Sequence, residues 1–153
     1  MSKVVVAVAG AFDPFHMGHL AHIREARKYG DYLIVILNTD DDVHRKRGFV
    51  FMPMGQRYEI LKSLREVDEI VICIDGDGTV AKTLEWIKPD IFAKGGDRDK
   101  SSMPKNEVDV CKQIGCQIFY GVGKQLASST DLLRKIQSYD KELYHKPSGG
   151  DFK

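Results

Sequence analysis

Apolar runs and segments of helical spacing alternate along the whole chain. "KVVVAVAG" is a short β-branched run ended by glycine, the pattern of a strand buried on both faces. In "MGHLAHIREARKYG", Leu20, Ile23, Ala26 and Arg27 keep helical spacing, and Gly30 suits a C-terminal stop. "DYLIVILNTD" predicts a second buried strand, and "DDVHRKRGFVFMP" a polar, basic loop. "MGQRYEILKSLREV" follows as an amphipathic helix with Tyr58, Leu61 and Leu64 on one face. "EIVICI" is a third strand and "GTVAKTLEWIK" a helix; "PDIFAKGGD" is a strand running into a glycine turn. "KNEVDVCKQIG" then reads as helical, "CQIFYGVG" as a strand and "SSTDLLRKIQSY" as the last helix.

Strand and helix therefore alternate five times. That order predicts an α/β fold: a single doubly wound, Rossmann-like domain, with a five-stranded parallel sheet covered on both faces by right-handed crossovers. The 153 residues suit one such core, and no linker-like stretch divides them. The domain is expected over residues 1–138, with a polar, Gly/Pro-rich tail at 139–153. Hydrophobic residues make up 42% and charged residues 29%, ordinary globular values. A net charge of +1 supplies no field that would draw the chain onto nucleic acid or an anionic membrane, so any basic function must be local. The apolar run at the start is too short for a signal peptide or a membrane span. Cys73, Cys111 and Cys116 lack CxxC spacing and sit in or beside apolar patterns, which points to reduced packing residues of a cytoplasmic protein.

In doubly wound folds, ligands bind beyond the carboxyl ends of the strands. The chemistry-bearing residues fall in those loops. "GAFDPFHMGHL" places His16 and His19 at the start of the first helix, where unpaired N–H groups and the helix dipole favour anions. Gly18 leaves room for a phosphate to approach the backbone, and two imidazole donors could stabilise charge developing at phosphorus. A metal reading needs further ligands; His22 stands at helical spacing, but no cysteine or carboxylate cluster is nearby. "HRKRG" concentrates cations at Arg45, Lys46 and Arg47. "AKGGD" offers Lys94, then Gly95 and Gly96 for a close approach, and Asp97 as an acceptor for ribose or base. "SSTDLL" can be a helix N-cap, with Ser128 and Asp131 in capping-box spacing, or a phosphate site.

The frame G-x-F-D-x-x-H-x-G-H, here "GAFDPFHMGH", resembles the signature of the HxGH nucleotidyltransferases, a cytidylyltransferase-like group distantly related to class I aminoacyl-tRNA synthetases. The likeness runs from Val4 to Gln137, and "SSTDLL" is similar to the family's second signature. It implies transfer of AMP or CMP from ATP or CTP to a phosphorylated acceptor, with release of pyrophosphate. In that light His16, His19 and Lys46 are the expected catalytic groups, with Arg45 and Arg47 as alternates for the lysine. Gly10, Phe12, Asp13, Gly18, Arg57, Lys94, Gly95, Gly96, Asp97, Lys124, Ser128, Ser129 and Thr130 are expected to bind substrate or nucleotide. Asp13 is also the expected protein contact of a magnesium ion whose other ligands are substrate phosphates. "KPDIFAKGGD" is most similar to the heptose-1-phosphate adenylyltransferase subgroup. "GVGKQLASST" has Lys124 as its only cation, where glycerol-3-phosphate and phosphocholine cytidylyltransferases commonly carry a basic residue and a glutamate. ATP and CTP both stay open.

The expected chemistry is in-line attack of an acceptor phosphate oxygen on the α-phosphorus. A phosphate monoester is largely ionised at pH 7, so no general base is needed. A heptose-1-phosphate-like sugar or polyol phosphate is the favoured acceptor. The alternatives are a coenzyme-forming adenylyltransferase, of the FAD or pyridine dinucleotide type, and a nucleotide-binding module without chemistry. The partners are thus a nucleoside triphosphate and a small phosphorylated molecule, with no nucleic acid and no membrane; the resemblance also suggests a homodimer.

Overall fold

The apolar runs form five parallel strands in this computed structural model, which describes residues 2–96 and 99–144, with side chains through Ser138. β1 (Val5–Gly10), β2 (Tyr32–Leu37), β3 (Glu69–Ile72), β4 (Ile91–Ala93) and β5 (Gln117–Phe119) lie in the order β3-β2-β1-β4-β5. The chain first winds outward from β1 through β2 to β3, then returns to the other side of β1 with β4 and β5. The winding therefore reverses between β1 and β4, which are joined by the pairs Val6–Ile91 and Ala7–Phe92. Loops leaving β1 and β4 diverge to opposite faces there, and a crevice opens beyond their carboxyl ends.

Side chains alternate across β1, so each face of the sheet has its own core. Val6 and Val8 pack with Leu33, Val35, Ile23 and Leu61 under α1 (Met17–Arg27) and α3 (Met54–Lys62). Ala7 packs with Ile36, Phe92, Leu84 and Cys111 under α4 (Ala81–Ile87) and α5 (Lys105–Ile114). All three cysteines are buried and free. α6 (Ser129–Tyr144) runs past residue 138, the expected end of the domain; the tail from residue 145 lies outside the described residues. No helix among the described residues is long and apolar enough to cross a membrane.

Two local expectations are corrected. Most of the segment read as a basic loop is a helix, α2 (Asp40–Arg47). Thr39 Oγ1 accepts from Asp42 N at 3.1 Å, and Asp42 accepts from Thr39 N at 3.0 Å, a reciprocal cap. Aspartates fill the first turn and basic residues the last, each opposing the dipole, and Gly48 stops the helix at φ +87°. Only Val43 is buried, so no apolar period announced the helix. Gly30, in turn, is not a left-handed stop, because α1 ends at Arg27 with Lys28 as a right-handed cap. A Cβ on Gly30 would lie 2.6 Å from the Val4 carbonyl oxygen, so close packing on β1 requires the glycine.

Candidate active site

The two histidines of the first loop cap their own helix. His16 is the N-cap, with extended backbone, and its Nδ1 accepts from the Gly18 and His19 amides at 3.0 and 3.4 Å. His19 Nδ1 accepts in return from the His16 amide at 3.3 Å. The rings stack, with centroids 3.7 Å apart. A nitrogen that accepts a hydrogen bond carries no proton, so in each neutral ring the proton sits on Nε2. Burial lowers the pKa of both rings, with the Arg47 charge adding to it at His16. At His19, burial comes first and the charges of His16, His22 and Arg47 follow, bringing the ring down to about 3. Both imidazoles are therefore uncharged N–H donors at neutral pH.

The loop before them is held under strain. Phe12 has φ +52°, rare for a residue with a Cβ, and is buried with its ring edge-on to His19 at 4.9 Å. A Cβ on Gly10 would meet that ring at 3.3 Å, so the glycine makes room for it.

The second helix end converges on the first. Ser128 caps α6, its Oγ accepting from the Asp131 amide at 3.4 Å, and Ser129 Oγ donates to the Pro14 carbonyl at 3.0 Å. A Cβ on Gly18 would lie 3.0 Å from the Ala127 carbonyl oxygen and 2.9 Å from the His16 ring, so the two motifs touch through that glycine. Between them opens a cavity of about 260 Å³ at the switch point of the sheet. Gly10, Phe12, His16, Gly18 and His19 form one side of its lining; Ser128, Ser129 and Thr130 form another. Lys46 and Arg47 enter from the end of α2, Lys94, Gly95 and Gly96 from the loop after β4, and Lys124 from the loop after β5. Lys94 is held from beneath, its Nζ 3.9 Å from a Glu107 carboxylate oxygen and 4.7 Å above the Phe92 ring. Four cations and two helix N-termini thus face one space, and no described residue lining it is a carboxylate. Such a space suits a polyphosphate.

Several expected residues lie elsewhere. Asp13, expected to touch magnesium or the acceptor, is fully buried and is not part of the cavity lining. Its carboxylate accepts the Phe51 and Met52 amides at 2.9 and 2.6 Å, so it fastens the loop after α2. Arg57, also expected at the site, is fully buried behind it, donating to three backbone carbonyls and to Asp40. Ser129 lines the cavity, but its hydroxyl proton is committed to Pro14. Of the alternate cations, Arg47 reaches the cavity and donates to the Asp13 carbonyl, whereas Arg45 pairs with Asp42 and the Gly76 carbonyl. Asp97 lies outside the described residues. Gly96 is needed by the protein itself, since a Cβ there would fall 2.5 Å from the Gly123 carbonyl oxygen.

His22, which the sequence offers only as a metal ligand, lines the cavity together with Gly123 and Gln125, which no motif singles out. The i, i+3 spacing of His22 after His19 was the available signal for the first, while nothing in the sequence marked the other two. No group of three or more metal-ligating side chains occurs among the described residues.

A family model described as cytidylyltransferase-like matches residues 7–135. The FAD synthase of Thermococcus sibiricus is 30% identical over 142 residues, covering 88% of this chain and 93% of that protein. The bifunctional protein HldE of Hahella chejuensis is 32% identical over 143 residues, covering 87% of this chain. The chain spans only 28% of that HldE protein's length. Among solved structures, a lipopolysaccharide core biosynthesis protein from Thermoplasma volcanium matches with a TM-score of 0.70 at 25% identity, over 80% of this chain and 99% of that one.

Proposed function

The chain belongs to the cytidylyltransferase-like family, and from that premise we propose that it transfers AMP or CMP from ATP or CTP to a phosphorylated small molecule, releasing pyrophosphate. The observation that carries this reading is the pair of capping histidines, Nδ1-accepting and therefore Nε2–H donors, which line the cavity where two helix N-termini and four cations meet.

The triphosphate would lie across the α1 and α6 N-termini, its charge balanced by Lys46, Arg47, Lys94 and Lys124. An acceptor phosphate oxygen attacks the α-phosphorus as the bond to the bridging oxygen of pyrophosphate breaks. Negative charge grows on the leaving pyrophosphate and on the non-bridging oxygens. Neutral N–H donors already fixed in place stabilise that charge without reorganising, and a buried imidazolium need not be formed. The acceptor is already ionised, so no residue has to remove a proton. Magnesium, in this reading, travels as the triphosphate's counter-ion, because the described lining residues offer it no carboxylate.

Two acceptor classes compete. A heptose-1-phosphate-like sugar or polyol phosphate is supported by the "KPDIFAKGGD" stretch and by likeness to the HldE proteins, which carry a heptose-1-phosphate adenylyltransferase domain. FMN, which adenylyl transfer converts to FAD, is supported by the FAD synthase of T. sibiricus, matched over 93% of its length. Pyrophosphate release, with ATP and CTP tested separately against sugar phosphates, polyol phosphates and FMN, tests the reading. Release with any of these acceptors is the expected result and names the class. Triphosphate binding with no release across the panel would overturn the reading in favour of a non-catalytic nucleotide-binding module.

A further inference from the structure

The N-termini of α1 and α6 face the same cavity, and like ends of two helix dipoles repel until an anion lies between them. The fold must therefore hold them together by other means. Two contacts do so, and they fall on either side of His16. Two residues before it, the Pro14 carbonyl accepts the Ser129 hydroxyl at 3.0 Å, across 115 positions of the chain. Two residues after it, Gly18 lies so near α6 that a Cβ there would sit 3.0 Å from the Ala127 carbonyl oxygen.

The two contacts differ in kind. The one at Gly18 is close packing, which resists compression but sets no direction. The one at Ser129 is directional, because a carbonyl only accepts and the hydroxyl proton must point at Pro14. Ser129 is the first residue of α6 and is buried, only 6% exposed. Its neighbour Ser128 works within α6, where its Oγ accepts the Asp131 amide at 3.4 Å; Ser129 works between the helices. His16 in turn holds the first turn of α1 through the Gly18 and His19 amides, and its ring stacks on His19. Any shift of Pro14 against α6 therefore carries the paired imidazoles with it.

We propose that Ser129 is a positioning residue: its bond to the Pro14 carbonyl sets where the imidazoles of α1 stand relative to phosphates resting on the α6 N-terminus. The inference rests on the nucleotidyl-transfer reading and gives Ser129 a role other than contact with the nucleotide. A hydroxyl whose proton is engaged by a backbone carbonyl has none to give a phosphate oxygen.

Ser129→Ala removes the bond, and Ser129→Thr keeps a hydroxyl at the same place. Equilibrium titration with ATP and CTP, beside single-turnover pyrophosphate release with the acceptor that the panel identifies, separates binding from chemistry. Ser129→Ala should slow release by about tenfold or more while triphosphate affinity stays within about threefold, because an offset donor is felt in the transition state. Ser129→Thr should release at close to the wild-type rate. In a His16→Ala background the same Ser129→Ala change should slow release by less than about threefold, since the group it positions is already gone. An equal tenfold loss in both backgrounds, or a loss of affinity that accounts for the lost rate, marks a direct phosphate contact and overturns the proposal. An undiminished rate in Ser129→Ala, or no recovery in Ser129→Thr, overturns it too. Amide hydrogen exchange over residues 15–19 of the ligand-free protein reads the link without activity, and it should be faster in Ser129→Ala than in the wild type. Faster exchange there, with no pyrophosphate from the wild type, would sink the transferase reading and leave the link standing. Release by the wild type, with rate and exchange both unchanged in Ser129→Ala, would do the reverse.

Discussion

Arg57→Met removes a buried cation that ties four segments together. The guanidinium donates to Met52 O at 2.8 Å, Ala11 O at 2.7 Å, Asn38 O at 2.8 Å and Asp40 Oδ1 at 2.7 Å. Those partners belong to the loops after β1, β2 and α2 and to the first turn of α2. The Asp40 side chain is 48% exposed and can regain water, so the lost ion pair itself matters little. The three carbonyls are what decide the cost. Each loses a charge-assisted bond, and a buried acceptor left without its donor costs about 1–3 kcal/mol. We expect a loss of about 3–5 kcal/mol, a lowering of Tm by roughly 10 °C or more in a domain of this size. Arg57→Lys, which keeps the charge but has no fork to reach several carbonyls, should lose about half of that. Urea unfolding of both variants, with the m-value compared to wild type, measures the effect. A change below about 1 kcal/mol in Arg57→Met would refute the structural role. Full stability together with lost activity would return Arg57 to the active site, where sequence reasoning had placed it.

Asp13→Asn should cost about 1–3 kcal/mol in the same assay, because the Phe51 and Met52 N–H groups bond to different carboxylate oxygens and the amide turns one of those into a donor. An altered metal requirement at unchanged stability would instead restore Asp13 as a metal contact. Stability should also fall as pH drops below about 6.5. The folded His19 ring, held at about 3 chiefly by burial, refuses a proton that the unfolded ring accepts near 6.5, so the unfolded state binds more protons across that window. The slope should approach about 1.4 kcal/mol per pH unit, and denaturation between pH 7 and 4.5 should show it flattened in His19→Ala; an equal slope in the variant would refute the burial argument. Gly96→Ala should weaken triphosphate binding, since its Cβ would meet the Gly123 carbonyl oxygen at 2.5 Å and push the loop after β4 off the cavity wall. Undiminished affinity in a titration would show that the loop absorbs the methyl group.

The alternation of apolar runs and helical spacings was enough to predict the sheet, because strands buried on both faces need continuous runs such as "VVAVAG" and "YLIVIL". It missed α2, which buries only Val43 and is held by its caps and charge order rather than by an apolar face. The site divides along the same physical line. Residues that line the cavity at a helix N-terminus, such as His16, Gly18 and Ser128, are visible because their motif is local. Asp13 and Arg57 lie buried behind the cavity, and motif membership does not say whether a side chain faces the cavity or the loops behind it. Their burial depends on Phe51 and Asn38, residues remote in sequence. His22 went unassigned because its ring orientation is set by Val122, a hundred positions away in the chain.

The most direct test of the central claim is single-turnover pyrophosphate release by the wild type, His16→Ala and His19→Ala, with the acceptor that the panel identifies. If the two imidazoles donate to charge developing at the reacting phosphates, each alanine variant should retain its fold and release pyrophosphate about a hundred- to a thousandfold more slowly. Release at the wild-type rate from either variant would reduce that histidine to a helix cap and contradict the account.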